Sequence, residues 1–427
     1  MNTSTLKYLL FLLFFIMPAG VLADDFHYVN MIVGNRAAGL GGAYCAVSDD
    51  PAGCYYNPAG IAFAPEMSLS ASVNVFGTSD KTYKDVLTTV KGGKLDWTQE
   101  SSSLLPNYFG LVRKMGRGRI GLSYAVPDST YRRQKQYFQN IATIYEDNPV
   151  ESYLIHINDS DKEYLFGPSY ALMLSDSLSV GATMYFYYRD AEIIRNQLLQ
   201  FKQGQHYFVN YYKTRKDQGI KPILGVIWEP RDTLAVGFSV TQTFIMDNDT
   251  HTTDIFRETI SAGYTLVDGQ EYDFSDTDSI HFQSRDQDHK EDYPWSGSLG
   301  LAWFVSPSLM FTGDITFHDA EKNRESLVNF ALGTEYYFSR NLAWRCGVFT
   351  DFANTDNVSN DAVNQDEHID IYGFNTSLTL FHKLSDITLG VSYGYGKGDA
   401  QMITDSTLIQ DAEIENISVY LSAAYKY

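Results

Sequence analysis

Apolar and polar residues alternate along most of this chain beyond residue 66, with the period of two that is typical of half-buried β-strands. In the first run, Met67–Phe76, apolar residues occupy the odd positions while Ser or Asn occupies the even ones up to Val75. Most later runs come in pairs joined by turns of three or four residues. The paired runs are Asn107–Lys114 with Arg119–Val126, Tyr164–Leu174 with Leu178–Arg189, Gly219–Trp228 with Thr233–Phe244, Trp295–Val305 with Leu309–His318, Leu327–Phe338 with Leu342–Phe352, and His368–His382 with Ile387–Gly396. A last run, Glu413–Tyr427, completes an all-β pattern.

The links between these hairpins are long, polar and acidic, unlike the turns within them. They are predicted as loops over residues 127–162, 190–218, 246–292, 353–367 and 397–412. Short turns on one side and long loops on the other are typical of outer-membrane barrels. We therefore predict a transmembrane antiparallel β-barrel, and a secreted β-sandwich is the alternative.

The runs add up to fourteen strands, an even number that brings both ends of the barrel to the same side. Thr253–Val267 also has a strand-like pattern, and pairing with Tyr272–Phe282 would raise the number to sixteen. We prefer fourteen, with these residues as an extracellular excursion.

Alternation also predicts which residues face lipid. One outward row runs from Ile387 to Tyr395 at odd positions, and another from Ile417 to Tyr425. Cys346 shares its outward row with Trp344 and Val348, which favours an inert apolar role for this thiol.

The N-terminus carries an export signal. Lys7 precedes the apolar run Tyr8–Met17, and Ala23 offers a small residue at the cleavage position. No later segment reaches the 18 apolar residues that a helical span needs. We predict a signal peptide over 1–23, a plug or hatch inside the lumen over 24–65 and the barrel over 66–427, all in the bacterial outer membrane.

Composition agrees with a membrane barrel. The chain has 31 Tyr and 26 Phe, which suits the aromatic girdles of such barrels. Its net charge of −20 argues against nucleic-acid partners, because phosphate binding needs a basic surface. The expected partners are an apolar small molecule and the bilayer with its outer-leaflet lipid, and we expect a monomer.

Two cysteines lie close together in the predicted hatch. Cys45 and Cys54 flank Asp49-Asp50-Pro51, which could form a turn, so a disulfide is expected. Two unpaired buried thiols are the alternative.

Motifs for catalysis, cofactors and metals are weak. Gly390–Gly394 matches G-x-S-x-G, but it lies inside an alternating run without the strand-to-helix turn that this motif requires. Gly39–Gly42 lacks the third glycine of a dinucleotide loop. The acidic loop 267–292, with His281 and His289, could bridge a hard cation, although a solvated surface loop is the preferred interpretation. We expect no enzyme, no cofactor and no metal.

Four charged residues are predicted to point into the lumen. Asp314 and Glu335 are candidates for charge pairing there, since interior charges must be compensated. Arg345 and Arg189 are candidates for holding an anionic ligand head group, because Arg binds carboxylates with two parallel hydrogen bonds. Structural pairing is the preferred role for these residues.

Several segments resemble the FadL/TodX family of outer-membrane transporters for long-chain fatty acids and aromatic hydrocarbons. They are Gly39–Ala62, Leu105–Asn107 with Gly121–Pro127, Leu224–Ser239 and Leu332–Asp351. The resemblance places Asn57, Pro58 and Ala59 in the family's hatch motif. It implies a fourteen-stranded barrel blocked by a hatch, with a kinked third strand that opens the wall sideways. Cys45, Cys54 and the terminal Tyr427 depart from the family pattern.

The expected function is passive uptake of hydrophobic or amphipathic small molecules through a hatch-gated barrel with a lateral exit. The alternative is a barrel that does not transport and acts as a scaffold or shuttle for secreted proteins.

Overall fold

The computed structural model describes residues 26–29, 31–142, 149–259, 279–287, 292–322, 324–402 and 407–426. The predicted signal peptide, 1–23, lies outside the described residues. Two short helices, α1 (Asn35–Gly39) and α2 (Gly53–Tyr56), and the 3-10 helix Pro58–Phe63 precede the strands. The strands in the described ranges are β1 Met67–Thr88, β2 Lys94–Met115, β3 Gly118–Ile141, β4 Val150–Ser175, β5 Leu178–Phe201, β6 His206–Arg231, β7 Leu234–Thr241, β8 Phe244–Thr259, β9 Ser279–Gln287, β10 Ser296–Ser306, β11 Leu309–His318, β12 Leu327–Ser339, β13 Leu342–Asp351, β14 His368–His382, β15 Ser385–Ala400 and β16 Gln410–Lys426.

The wall is a closed antiparallel barrel of fourteen strands. Neighbouring strands pair in chain order, β1 pairs with β16, and β6 pairs with both β5 and β7. β8 and β9 lie outside this ring, because β8 pairs with the upper part of β6 and β9 pairs with β8. The predicted count of fourteen is therefore confirmed. Residues 253–259 and 279–282 of the predicted excursion lie in β8 and β9, outside this ring, and residues 260–278 lie outside the described residues.

The strands differ greatly in length around the barrel. β10, β11 and β13 have 11, 10 and 10 residues, close to the 9–11 that cross a bilayer. β3 to β6 have between 24 and 26 residues and continue far beyond the membrane. The predicted loops 127–162 and 190–218 were wrong, because most of their residues extend these strands. In the projecting parts of these strands the outward residues face water and are polar. The sequence there therefore lacks the outward apolar row that marks lipid contact.

Inward residues of the projecting strands form a second apolar core, which we call the upper core. It is centred on large buried side chains, among them Trp97, Tyr153 and Ile155. Contributions come from β1 to β6 and from β14 to β16. The projecting sheets thus pack on one another by burying apolar surface, which stabilises them without lipid.

Lipid-facing rows agree with the alternation in the sequence. Leu389 is 57% exposed and Leu421 is 41% exposed, whereas the inward Thr388 is buried. Cys346 is half-buried in the row of Val348, as predicted. No helix in the described ranges is long and apolar enough to span a membrane.

Candidate ligand site and hatch

Residues 31–65, called the hatch below, lie inside the barrel and contact its inner wall. Small residues permit this close approach. At several inward wall positions even an added Cβ would overlap backbone or Asn57 atoms of the hatch at 2.3 Å or less, which explains why the wall has glycine there. These positions are Gly181, Gly225, Gly237 and Gly347.

Asn57 joins the hatch to the wall. Its Nδ2 donates to the carbonyl of Cys45 at 2.8 Å and to the carbonyl of Val226 in β6 at 3.1 Å. Its Oδ1 accepts from the N–H of Ala59 at 3.1 Å and so caps the 3-10 helix, in which Pro58 is the first residue. The three residues Asn57, Pro58 and Ala59 are buried. The geometry gives each of them a structural part in hatch docking.

A buried group of charges fixes the other end of the hatch. Arg36 Nε donates to Glu335 Oε2 at 2.9 Å, and Arg36 Nη2 donates to Oε1 at 3.0 Å. Arg345 Nε donates to the same Oε2 at 2.5 Å. Glu335 and Arg345 were predicted to point into the lumen, whereas Arg36 was not among the predicted residues. The sequence does contain a signal for this residue, because Arg36 is the only Lys or Arg between Asp24 and Pro65.

The other two predicted lumen charges have separate partners. Asp314 Oδ2 accepts from the backbone N–H groups of Tyr44 at 2.7 Å and Cys45 at 2.8 Å. Arg189 lies above them and donates to both carboxylate oxygens of Asp161, with Nη2 to Oδ2 at 2.6 Å. Both predicted ligand-binding arginines, Arg189 and Arg345, are therefore engaged by carboxylates of the wall, which favours the structural role.

Cys45 and Cys54 are free thiols, so the expected disulfide is not formed. Cys45 Sγ lies 3.7 Å from Ser239 Oγ on β7, whereas Cys54 packs against Gly121 on β3. The two side chains thus point to different parts of the wall, and burial raises the pKa of both thiols, that of Cys54 to about 11.

A cavity of about 240 Å³ lies between the hatch and strands β6, β7 and β10 to β13. We call it the tyrosine cavity. Aromatic side chains supply part of its lining, namely Tyr28, Tyr55, Tyr56, Tyr293 and Phe349, together with polar residues such as Ser239, Thr316 and Asn329. Tyr28 stacks on His318 with ring centroids 4.0 Å apart. The cation that lines it, Lys221, lies 3.5 Å from Glu163.

A second cavity, of about 160 Å³, lies on the other side of the N-terminal segment. We call it the polar cavity, because Ser, Thr and Asn supply much of its lining from β1 to β3 and β13 to β16. Val29, Met31 and Ile32 line both cavities and form a partition between them. The carboxylate of Asp351 holds this partition by accepting from the N–H groups of Tyr28 and Val29, both at 3.2 Å.

The wall beside the polar cavity is interrupted. β2 and β3 pair from Met115 and Gly118 up to Tyr108 and Ala125, and again at Ser101 and Arg132. Between these pairs lie Pro106 and Pro127, which have no N–H to donate to a ladder. The register of β3 with β4 also shifts between Ala125 and Asp128. Asp128 and Ser129, inside this interruption, line the polar cavity.

The G-x-S-x-G match lies wholly within β15, with Ser392 in mid-strand. In the described part of the chain, no group of three or more His, Cys, Asp or Glu side chains is placed to hold a metal ion. His289 and part of the acidic loop 267–292 lie outside the described residues.

A closed barrel of fourteen antiparallel strands defines an outer-membrane β-barrel protein. The family model described as "Outer membrane protein transport protein (OMPP1/FadL/TodX)" matches residues 29–416, and the chain belongs to this family.

Solved structures share the fold at low sequence identity. The Pseudomonas putida toluene transporter TodX is 13% identical, with a TM-score of 0.63 over 94% of this chain and 99% of that one. A Pseudomonas aeruginosa FadL homologue is 17% identical, with a TM-score of 0.60 over 93% and 100%. The Ralstonia pickettii toluene transporter TbuX is 13% identical, with a TM-score of 0.58 over 94% and 100%. A search of curated proteins found no match.

Proposed function

We propose that this chain is a passive outer-membrane channel for hydrophobic or amphipathic small molecules, of the aromatic hydrocarbon or long-chain fatty acid class. The observation that carries the proposal is the tyrosine cavity, which lies between the wall and the hatch and is lined in part by aromatic rings. Transfer of an apolar solute from water into such a site lowers its free energy, whereas a water-filled pore leaves the solute hydrated.

The size of the cavity bears on the two solute classes. An apolar cavity of about 150 Å³ holds benzene, so one of about 240 Å³ has room for a monoaromatic molecule. A long acyl chain needs more volume, which the polar cavity would add once the partition of Val29, Met31 and Ile32 moves.

The lateral exit is proposed at the interruption between β2 and β3. It adjoins the polar cavity, and two prolines prevent the ladder from closing there. A solute would pass from the tyrosine cavity, past the partition, and out between these strands into the membrane. The segment 24–65, which includes the hatch, would then form the movable part and residues 66–427 the wall.

The scaffold alternative is less well supported. That alternative predicts a hatch held immobile by a disulfide, whereas both hatch cysteines are free thiols.

The test uses vesicles with a lipopolysaccharide outer leaflet, since simple phospholipid bilayers pass apolar solutes unaided. Radiolabelled toluene and oleate are supplied outside, and uptake is compared with protein-free vesicles. We expect faster uptake of at least one solute. Equal rates for both would contradict the proposal, and co-purification of a secreted protein would then favour the scaffold.

A further inference from the structure

The polar cavity is lined by buried side chains that can form hydrogen bonds but have no partner among the described residues. Asn74 on β1 is 5% exposed and Gln99 on β2 is 9% exposed, and both line the cavity. Neither side chain is hydrogen-bonded to another described residue, and the same is true of the buried Ser129 on β3. Buried polar groups are normally hydrogen-bonded, so a group of unpartnered ones in one place indicates a ligand or solvent site.

The neighbouring strands β14 to β16 continue this polar lining. Asn375, Ser392 and Ser418 lie directly opposite one another on these three strands, and all of them line the cavity. Residues paired in this way share a face of the sheet, with side chains about 5 Å apart. Asn375 is 0% exposed, and its Nδ2 donates to the carbonyl of Ala38 in the hatch at 2.6 Å. Its Oδ1 has no partner in the described part of the chain, so a buried acceptor remains at this wall.

A β-bulge in β1 lies beside the cavity. The register of β1 shifts between Asn74 and Phe76 against β16, and between Asn74 and Gly77 against β2. Val75 and Phe76 are both exposed, so the inward residues are even-numbered up to Asn74 and odd-numbered from Gly77. Bulges re-aim side chains and are common next to functional sites. The wall therefore departs from a regular ladder where its polar side chains face the cavity.

The charges around the cavity disfavour an anion. Among the described lining residues, the charged ones are the carboxylates Glu100, Asp128 and Asp351 and the cations Lys81 and Arg132. Each cation faces a carboxylate outside the lining, since Lys81 Nζ donates to Glu367 Oε1 and Arg132 Nη1 lies 3.7 Å from Asp159 Oδ2. An anionic head group would therefore meet an excess of negative charge, which repels it.

An uncharged head group with hydroxyls fits this lining. Serine hydroxyls and the amides of Asn and Gln donate and accept hydrogen bonds, and so does the hydroxyl group of a solute. An acyl chain or a plain aromatic ring in the same place would leave these buried groups without hydrogen bonds, which costs free energy. Another side of the cavity is apolar, because the partition residues Val29, Met31 and Ile32 form it. A solute with a polar head and an apolar body can satisfy both sides.

We propose that the polar cavity binds the head group of an amphiphile, and that this head is uncharged and carries hydroxyl groups. The inference rests on the proposed function and narrows its solute. The volume that the polar cavity adds is then taken by the head group, while the apolar body lies against the partition and extends into the tyrosine cavity. The carboxylate of a fatty acid and a plain hydrocarbon are both less suited to this site.

The first test compares three solutes that share one unsaturated hydrocarbon chain and differ at its end. Monoolein has a glycerol head with two hydroxyls, oleate has a carboxylate, and heptadecene has no polar group. Uptake into vesicles with a lipopolysaccharide outer leaflet is measured with and without the protein. We expect the protein to accelerate uptake of monoolein about tenfold more than uptake of oleate or heptadecene, the factor that two net hydrogen bonds imply.

The outcomes of this comparison separate the two proposals. Acceleration of oleate or heptadecene to the same extent as monoolein, or to a greater one, would overturn the inference about the head group. Failure of the protein to accelerate any of the three solutes, or toluene, would instead contradict the proposed function.

The second test removes hydrogen-bonding groups from the cavity. Asn74→Leu is combined with Ser418→Ala, and Ser70→Ala is the matched control. Ser70 is also buried and without a partner in the described ranges, but it is not among the described lining residues of either cavity. Because Asn74 and Ser418 bind no other described side chain or backbone group, the thermal stability of the double variant should be unchanged or higher. Its uptake of monoolein should fall about tenfold, and unchanged uptake would overturn the inference.

A third measurement does not depend on transport. Ser392→Cys, in a Cys346→Ser background, places a thiol in the polar cavity. We expect monoolein to slow the alkylation of this thiol, whereas oleate and heptadecene leave the rate unchanged. Ser339→Cys, exposed at the end of β12, is the reference and should react equally with and without monoolein. Alkylation of Ser392→Cys at the same rate in the presence of monoolein would show a cavity that holds only water, and would overturn the inference.

Discussion

Arg36 of the hatch and Glu335 of the wall form a doubly hydrogen-bonded ion pair, at 2.9 and 3.0 Å, inside the barrel. Arg345 shares the same carboxylate, so one acidic group holds two guanidinium groups. Arg36 keeps a second carboxylate partner, Asp49 of the hatch, at 2.5 Å, so removal of Glu335 breaks the tie between hatch and wall without leaving Arg36 fully unpaired. Breaking a buried pair costs up to about 3–5 kcal/mol. Glu335 is therefore one of the main contacts that position the hatch.

Glu335→Gln should loosen the hatch while the wall stays folded. The native thiol of Cys45 is the reporter, because it is buried between the hatch and β7. We expect its alkylation to accelerate by about tenfold or more, as a loss of about 1.4 kcal/mol or more implies. Glu413→Gln is the matched control, since its partner Lys397 is exposed and such surface pairs contribute little. Equal alkylation in both variants would show that Glu335 does not hold the hatch.

Asn57→Ala should detach the hatch from β6. The variant removes two donated hydrogen bonds and one cap, and leaves the buried carbonyls of Cys45 and Val226 without this donor. Each buried group left unsatisfied costs about 1–3 kcal/mol. Asn57→Asp keeps the cap but loses both donors, so it should be nearly as unstable.

The measurement for Asn57 is thermal unfolding followed by gel mobility, together with Cys45 alkylation. Asn341→Ala, in an exposed turn of the wall, is the control. A wild-type alkylation rate in Asn57→Ala would contradict the role assigned to this residue.

The thiols of Cys45 and Cys54 should be reduced and slow to react. Burial raises the pKa of the Cys54 thiol to about 11 and that of Cys45 further, so both stay protonated well above neutral pH. Because the thiolate is the reactive form, alkylation should become faster as the pH rises toward these values. Mass spectrometry of unreduced protein tests the disulfide directly, and a Cys45–Cys54 crosslink would refute the structure at this point.

Pro127→Val combined with Pro106→Val should slow the exit of solute. The substitutions supply two N–H donors where the β2–β3 ladder is interrupted, which allows the wall to close. We expect uptake to fall several-fold while equilibrium binding of the solute, measured by titration in detergent, stays unchanged. Pro230→Ala, near the end of β6 and away from the interruption, is the control. Unaltered uptake in a protein with a repaired ladder would place the exit elsewhere.

The sequence predicted the wall well where lipid imposes a pattern. The outward rows of Leu389 and Leu421 alternate with small or polar inward residues because one face meets hydrocarbon and the other the lumen. Above the membrane this contrast disappears. There the inward residues are apolar or charged, as at Tyr153 and Arg189, and the outward residues are polar. For this reason the polar sequence of these segments was interpreted as loops.

The site was only partly predictable. Asn57 and Glu335 were found, but their partners, the Val226 carbonyl and Arg36, are distant in sequence and meet only after the barrel closes. The predicted Cys45–Cys54 disulfide was wrong, because closeness in sequence does not bring these two side chains together in the fold. Nine residues of separation suggested proximity, yet the turns between them and the start of α2 direct the two side chains to different strands.

The upper core has one more consequence. It gives the projecting strands a buried apolar interior of their own, to which their outward residues do not contribute. Substitutions on that outer surface should therefore leave the hatch and the membrane-spanning wall undisturbed. The cell can thus alter the face it shows to its surroundings while the route for solutes stays the same.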